Sequence, residues 1–498
     1  MDRETKRFIE PPQGGLPPAC REAQPLSARL PSVSGAAPDS YRAILYLAGP
    51  LILSSTGYML MQFCDALFLS WHSEAAVAAA VPSSMACFLA LSLSMGVVNF
   101  ASTFVAQYMG AGRPERAASA VWQGMYFGLL SGLAIAAVLT PASEALFAWT
   151  GHAPEIQALE VEYFRIVCAG APLALVGGAL SAFFTGRGDT RVFMAVQLLA
   201  VGLNAVLDYG LIFGAWGLPA WGMSGAAAAT VASQLVALAV LGAIFFAPGH
   251  RRRFGTWAAR GFDRELFARL VRYGVPNGVR FTLDILAWSL FLVFIGRVGA
   301  RELAATSIAW RINGIAFFPL LGLSSAISIL VGHAQGAGKT AQAVVCTRRG
   351  LALAEGWMLA SAALFVLCPE WLFELFHDPA TVPAENFALT RELGVAILRL
   401  VALYCLLDGV NLVLMGALQG AGDTRWTMGA CLAINALFLA VLLALDAMRA
   451  GAIAIWVAAT ACVMLQALVW LARFASGHWK DKRVIEPQLD PELQPAAE

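Results

Sequence analysis

The chain has 498 residues, of which 59% are apolar and only 13% charged, and its mean hydropathy is +0.69. Soluble domains carry about a quarter charged residues, so the composition excludes an ordinary soluble protein and predicts one that crosses a membrane many times. The net charge of +1 gives no footprint for nucleic acid, and the nine cysteines, scattered without a CxxC or a Cys/His cluster, read as small apolar residues rather than metal ligands or disulfides.

Residues 1–40 are rich in Pro, Arg and Ser and contain no apolar core of a signal peptide, so they read as a disordered cytoplasmic tail. Twelve apolar runs follow, at 43–70, 76–108, 117–140, 161–185, 191–213, 223–247, 273–296, 303–333, 347–376, 393–418, 427–446 and 451–475. Each is long enough to cross a hydrocarbon core of about 30 Å as helix. Residues 477–498 read as a second polar, disordered tail on the cytoplasmic side. An even number of spans puts both termini on one side. Arg113, Arg116, Arg187, Arg191, the run from Arg251 to Arg272, Lys339, Arg348, Arg349 and Arg425 all fall on that side, against only Arg165, Arg297, Arg301, Arg391 and Arg449 on the other. Positive residues stay inside, so both termini are expected in the cytoplasm.

The chain repeats itself. "GRGDTR" at 186–191 returns as "GAGDTR" at 420–425, and "QYMGAG" at 107–112 returns as "HAQGAG" at 333–338. Both members of each pair fall after equivalent spans, which predicts two parallel six-helix halves, 41–249 and 266–476, joined by a basic linker at 250–265. The bland reading of GDTR is a capped turn. Gly leaves the helix through the left-handed region, Asp caps the next helix and Arg sits at the headgroups.

Ionisable groups inside spans are costly and point to an interior or a water-filled cavity. In chain order they are Asp65 in the first span; Asn204 and Asp208, one helical turn apart, in the fifth; Arg280 and Asp284, likewise, in the seventh; Arg311 and Asn313 in the eighth; Glu355 in the ninth; and Arg399, Tyr404, Asp408 and Asn411 in the tenth. Tyr404, Asp408 and Asn411 share one face. Carboxylates flanked by amide and hydroxyl oxygens can ligate Na⁺ or hold a proton, and they can also serve as glue between helices. Arg280 is a candidate ion-pair partner that would neutralise Asp284. Glu355 is expected at the membrane interface. His333 has no acid beside it and no nucleophile–base arrangement is visible, so an enzyme is not expected.

"FVAQYMGAG", "GRGDTR", "LNAVLDYGLIFG", "GMSGAAAAT", "LVGHAQGAG" and "GALQGAGDTR" together resemble the multidrug and toxic compound extrusion transporters, over about residues 41–475. The resemblance implies an all-α membrane protein of twelve transmembrane helices in two pseudo-symmetric six-helix lobes around a central cleft. It implies alternating access in the bacterial cytoplasmic membrane, as a monomer, with Na⁺ or H⁺ entering as organic cations leave and no other cofactor. Asp65, Asn204, Asp208 and Thr230 match the family's N-lobe cation site, where Na⁺ would sit. Asp284, with Tyr404 and Asp408, resembles the C-lobe acids of the norfloxacin-pump branch, and Asn411 extends that face. The departures are Asp284 where that branch has Glu, Arg280 beside it, and the long Pro-rich N-terminal tail. The rival cargo on the same fold is a lipid-linked or anionic metabolite, suggested by Arg280, Arg311 and Arg399.

Overall fold

A computed structural model describes residues 39–376 and 384–487. The expectation for the N-terminal tail lies almost wholly outside them. The described residues contain helices and no strand. The elements are α1 (Tyr41–His72), α2 (Glu74–Gly110), α3 (Pro114–Ala148), α4 (Pro154–Ala169), α5 (Ala171–Gly186), α6 (Thr190–Phe213), α7 (Met223–Phe245), α8 (Pro248–Phe254), α9 (Arg264–Val298), α10 (Ala300–Gly336), α11 (Thr340–Leu367), α12 (Pro369–Glu374), α13 (Ala384–Ala421), α14 (Thr424–Ala447) and α15 (Ala452–Ser476). In lipid every backbone amide must be paired within the segment, which leaves helix as the form for such runs.

Among the described residues, eleven helices are long and apolar enough to cross a membrane, or twelve with the bent pair α4–α5 counted as one span. The run read as one span at 161–185 is therefore broken. It bends by 47° at Gly170, where Pro172 in the next turn has no amide hydrogen to continue the ladder. The run read at 347–376 also ends early, because α11 stops at Leu367 and Pro369 starts the short α12. Ser40 and Ser73 cap α1 and α2, accepting from the backbone amides of Ala43 (3.2 Å) and Ala76 (3.1 Å).

The helices form two six-span lobes with matching internal partners. In the first, α1 packs on α6; in the second, α9 packs on α14. Across the seam, α1 meets α10 and α2 meets α9, again as equivalents, and α2 runs against α10. The linker is not a bare tether. After α8, Thr256 is buried and its carbonyl accepts from Trp122 Nε1 (2.7 Å), while Gln123 Nε2 donates to the Gly261 carbonyl (3.1 Å), so α3 holds it.

The repeated phrases meet at one end of the bundle, the end that carries most of the arginines. A side chain on Gly110 would collide with the His333 carbonyl, and one on Gly336 with the Gln107 carbonyl. The two GAG loops thus bury each other's backbone across the seam. His333 Nε2 reaches the Gly186 carbonyl (2.9 Å), and Gln107 Nε2 donates to the Gly420 carbonyl (3.0 Å). This end is closed.

In the GDTR turns Gly188 (φ 84°) and Gly422 (φ 88°) take the expected left-handed conformation. The aspartates do not cap, although each stands at the N-cap position. Asp189 pairs with Arg187, and Asp423 accepts from Arg473 Nε at 2.7 Å. A guanidinium within reach outcompetes a backbone amide for a carboxylate.

Residues 477–487 correct the reading of a disordered C-terminal tail. Trp479 and Val484 are fully buried and Ile485 nearly so. Composition misled here because few residues in the stretch are apolar, and those few are the ones that pack.

Candidate functional site

Asp65 lies near the end of α1 and Asn204 and Asp208 near the end of α6, away from the closed end. Because α1 and α6 pack side by side, the three side chains converge. Asn204 and Asp208 are fully buried. With its amide turned so that both groups are satisfied, Asn204 Nδ2 donates to Asp65 Oδ1 (3.1 Å) and to Asp208 Oδ2 (3.2 Å). Asp208 Oδ1 is buried with no hydrogen-bond partner. Two carboxyl groups from different spans thus share one amide, and an acceptor oxygen is left over. Like charges this close cost several kcal/mol in a low-dielectric interior, a cost that a bound cation or a shared proton offsets.

Thr230, on α7, is not hydrogen-bonded to this trio among the described residues. Its hydroxyl donates to the Ala226 carbonyl in its own helix (3.1 Å), which still leaves the oxygen free to accept or ligate.

The second lobe splits its candidates into two places. On α9, Arg280 Nη1 lies 2.7 Å from Asp284 Oδ2, and Cys431 Sγ of α14 donates to Asp284 Oδ1 at 3.2 Å. The side chain of Arg280 is 12% exposed and that of Asp284 37%. Asp284 is thus already neutralised by its own helix. Farther along α9, Trp288 stacks on Trp310 of α10 with ring centroids 3.8 Å apart, which places a flat aromatic wall at the seam helices.

On α13, Asn411 Nδ2 donates to Asp408 Oδ1 (3.1 Å), and Trp470 Nε1 of α15 donates to Asn411 Oδ1 (2.9 Å). Asp408 and Tyr404, one turn apart, are both buried. The structure therefore joins Asp408 to Asn411 but not to Asp284.

Glu355 corrects the expectation of an interfacial residue. α11 begins at Thr340, before the apolar run starts, so Glu355 sits mid-helix. It packs on α13 so closely that a Cβ on Gly409, next to Asp408, would lie 2.6 Å from Glu355 Oε1, and that oxygen is buried without a hydrogen-bond partner. The signal in the sequence was the GAG repeat, since "GAGK" marks the start of α11 just as "GAGR" marks that of α3. Cys431 and Trp470 were also missed, because nothing in a sequence shows which side chain of one helix meets the acid cluster on another.

The MatE family model matches residues 50–210 and again residues 283–445. The chain belongs to the MatE family. It is a membrane transporter rather than an enzyme, and each half carries one copy of the family's unit. A probable multidrug resistance protein NorM of Thermotoga maritima is 25% identical over 466 residues, 92% of this chain and 97% of that one. The protein of that name from Burkholderia vietnamiensis is 30% identical over 408 residues, covering 81% of this chain and 85% of its own. Among solved structures, the outward-facing conformation of a multidrug resistance MATE family transporter of the MOP superfamily superposes with a TM-score of 0.80 at 21% identity, over 92% of this chain and 99% of that one. A MOP superfamily transporter from Pyrococcus furiosus, described as having a binding pocket of reverse polarity that suggests a different function, superposes with a TM-score of 0.78 at 22% identity, over the same shares. These structural likenesses support the fold.

Proposed function

We propose that this MatE transporter is a secondary antiporter of a bacterial inner membrane, exporting organic cations or drugs in exchange for Na⁺ or H⁺. The observation that carries the reading is the trio Asp65–Asn204–Asp208, two carboxyl groups bridged by one amide between α1 and α6. Na⁺ prefers a few oxygens and a proton needs one carboxylate; the trio, with Thr230 on the neighbouring α7, offers either. Asp408 with Asn411 and Tyr404 is a second acidic point in the other lobe, suited to a cationic substrate or a second ion. Asp284 contributes less, because Arg280 already holds it.

The Arg-rich end is cytoplasmic on this reading, since arginines gather on the inner side. The closed GAG seam then makes the present arrangement outward-facing. The chain acts as a monomer, with both termini in the cytoplasm.

The cargo on the rival reading is a lipid-linked or anionic metabolite. Arg311 and Arg399 lie within spans, are exposed, and have no ion-pair partner among the described residues, which favours an anion near them. Ethidium uptake into everted vesicles, under an imposed Na⁺ gradient and then an imposed proton gradient, separates the two. Uptake under one gradient names the ion and supports drug antiport. No uptake under either, with the protein present, supports the anionic cargo.

A further inference from the structure

The segment after α15 belongs to the second lobe by sequence but ends on the first. Gly477 (φ 75°) turns the chain back under the bundle. Trp479 then stacks on Phe474 of α15, ring centroids 4.9 Å apart. Gln335, in the last turn of α10, points its Nε2 among three carbonyls of the segment, those of Trp479 (3.1 Å), Lys480 (3.1 Å) and Lys482 (3.2 Å), which share its two hydrogens. These contacts anchor the segment to the second lobe.

Its far end is held by the first lobe. The Val484 amide donates to Gln107 Oε1 (2.9 Å). Glu486 accepts from the Tyr108 hydroxyl (2.6 Å), from Arg113 Nη2 (2.5 Å) and from Arg116 Nε (3.2 Å). Between the two anchors Val484 fills the space beside Gly422, where a Cβ would lie 2.5 Å from Val484 Cγ1. Gln107 and Gln335 are both fully buried. They sit in the last turns of α2 and α10, just before the two GAG turns that close the seam, so the segment lies across the line along which the lobes must part.

The two anchors differ in kind. The second-lobe anchor is a buried aromatic stack, with three backbone carbonyls gathered around one buried amide. The first-lobe anchor combines Val484 and Ile485, buried in the first lobe's hydrophobic core, with a partly solvated ionic cluster whose side chains are 29% and 20% exposed in the Arg113–Glu486 pair. Water can take over the charged contacts as they break, but nothing replaces a buried tryptophan cheaply. The Glu486 contacts are therefore the part of the strap that water can most readily replace, and their loss leaves only Val484, Ile485 and the Gln107 bond on the first lobe.

We propose that residues 479–486 are a strap across the Arg-rich end that holds the outward-facing state shut, with Glu486 as its release point. The proposal rests on the alternating-access reading above, because a strap matters only if this end opens. A chain that strapped both lobes permanently could not complete that cycle, so the strap sets how often the end opens.

The test is a spin-label distance across the seam, between Glu115→Cys on α3 and Ala341→Cys on α11. It uses the full chain in nanodiscs, with native cysteines replaced. Glu486→Ala should raise the open-to-closed ratio about tenfold, the loss expected for a charged hydrogen-bonded network. Glu486→Gln, which keeps the Tyr108 contact and loses the ion pairs, should lie between. If the wild-type end opens and neither variant changes the ratio, the strap is wrong and alternating access stands. If no chain, wild type included, ever shows a longer distance under either ion gradient, alternating access itself fails and the strap with it.

Discussion

Gly336 on α10 has no room for a side chain, because a Cβ there would collide with the carbonyl oxygen of Gln107 on α2. Gly110 and His333 make the same contact with the lobes exchanged. Two helices approach to backbone contact at two equivalent points, which is what small residues permit in a membrane.

Gly336→Ala should therefore push the closed end apart, at a cost of about 1–3 kcal/mol to the closed state. Thr103, buried at the same seam, reports the opening when replaced by Cys and alkylated from the Arg-rich side. The rate should rise in Gly336→Ala and stay at the parent value in Gly429→Ala, where a Cβ meets nothing within 4 Å. Equal rates in both would show that the seam does not depend on the glycine contact.

Asp65→Asn and Asp208→Asn should each abolish ion-driven efflux while leaving the protein in the membrane at wild-type levels. Either change removes a charge from a pair that shares one amide. Vesicle transport under a fixed gradient measures this. Wild-type transport in the Asp65 variant would remove that residue from the mechanism.

Arg280 and Asp284 should behave as a pair in stability and contribute little to coupling. Breaking a partly buried ion pair from one side costs about 1–3 kcal/mol, less than a fully buried pair because Asp284 is 37% exposed. Arg280→Gln and Asp284→Asn should each lower the unfolding temperature, and the double variant should lose less than the sum. Additive losses would mean that the two side chains do not interact.

The hold of Glu486 on the first lobe has a defined pH sense. Burial alone would raise its carboxyl above the ordinary 4.5. The Tyr108 hydroxyl, a backbone amide, Arg116 and Arg113 together bring it below that value. Asp263, paired with the same Arg116, is also held low against the pull of burial. A lowered carboxyl contributes fully above its ordinary value and loses its contribution as the pH falls through the lowered one. The closed fraction should then be flat from about pH 6 to 8 and fall only under acid, and Glu486→Gln should abolish that acid limb. A wild-type transition near neutrality that survives in Glu486→Gln would assign the pH response to another group.

Asn411→Ala should destabilise the second lobe by about 1–3 kcal/mol, because it strands both Asp408 Oδ1 and Trp470 Nε1 in the interior. Thermal unfolding in detergent gives the value. A shift no larger than that of an exposed substitution would mean that water replaces the amide there.

The amino-acid sequence by itself determined the number of spans, their order, the two-fold repetition and the acids worth watching. These depend on run length, on period and on charge where charge is costly, all local properties. Asp65 and the Asn204–Asp208 pair were legible for that reason, although nothing local said that one amide would bridge both acids. Only the packing of α13 on α11 brought Glu355 beside Asp408, and only the pairing of α9 with α14 put Cys431 on Asp284. The C-terminal segment is the clearest case. Its composition resembles a solvated tail, because four charged residues, Lys480 to Arg483, separate Trp479 from Val484. Their partners lie on Phe474, Gln107, Arg113 and Arg116, and all but the first are hundreds of residues away in the chain. Contacts at that separation exist only once the two lobes have folded against each other, so no window of sequence contains them.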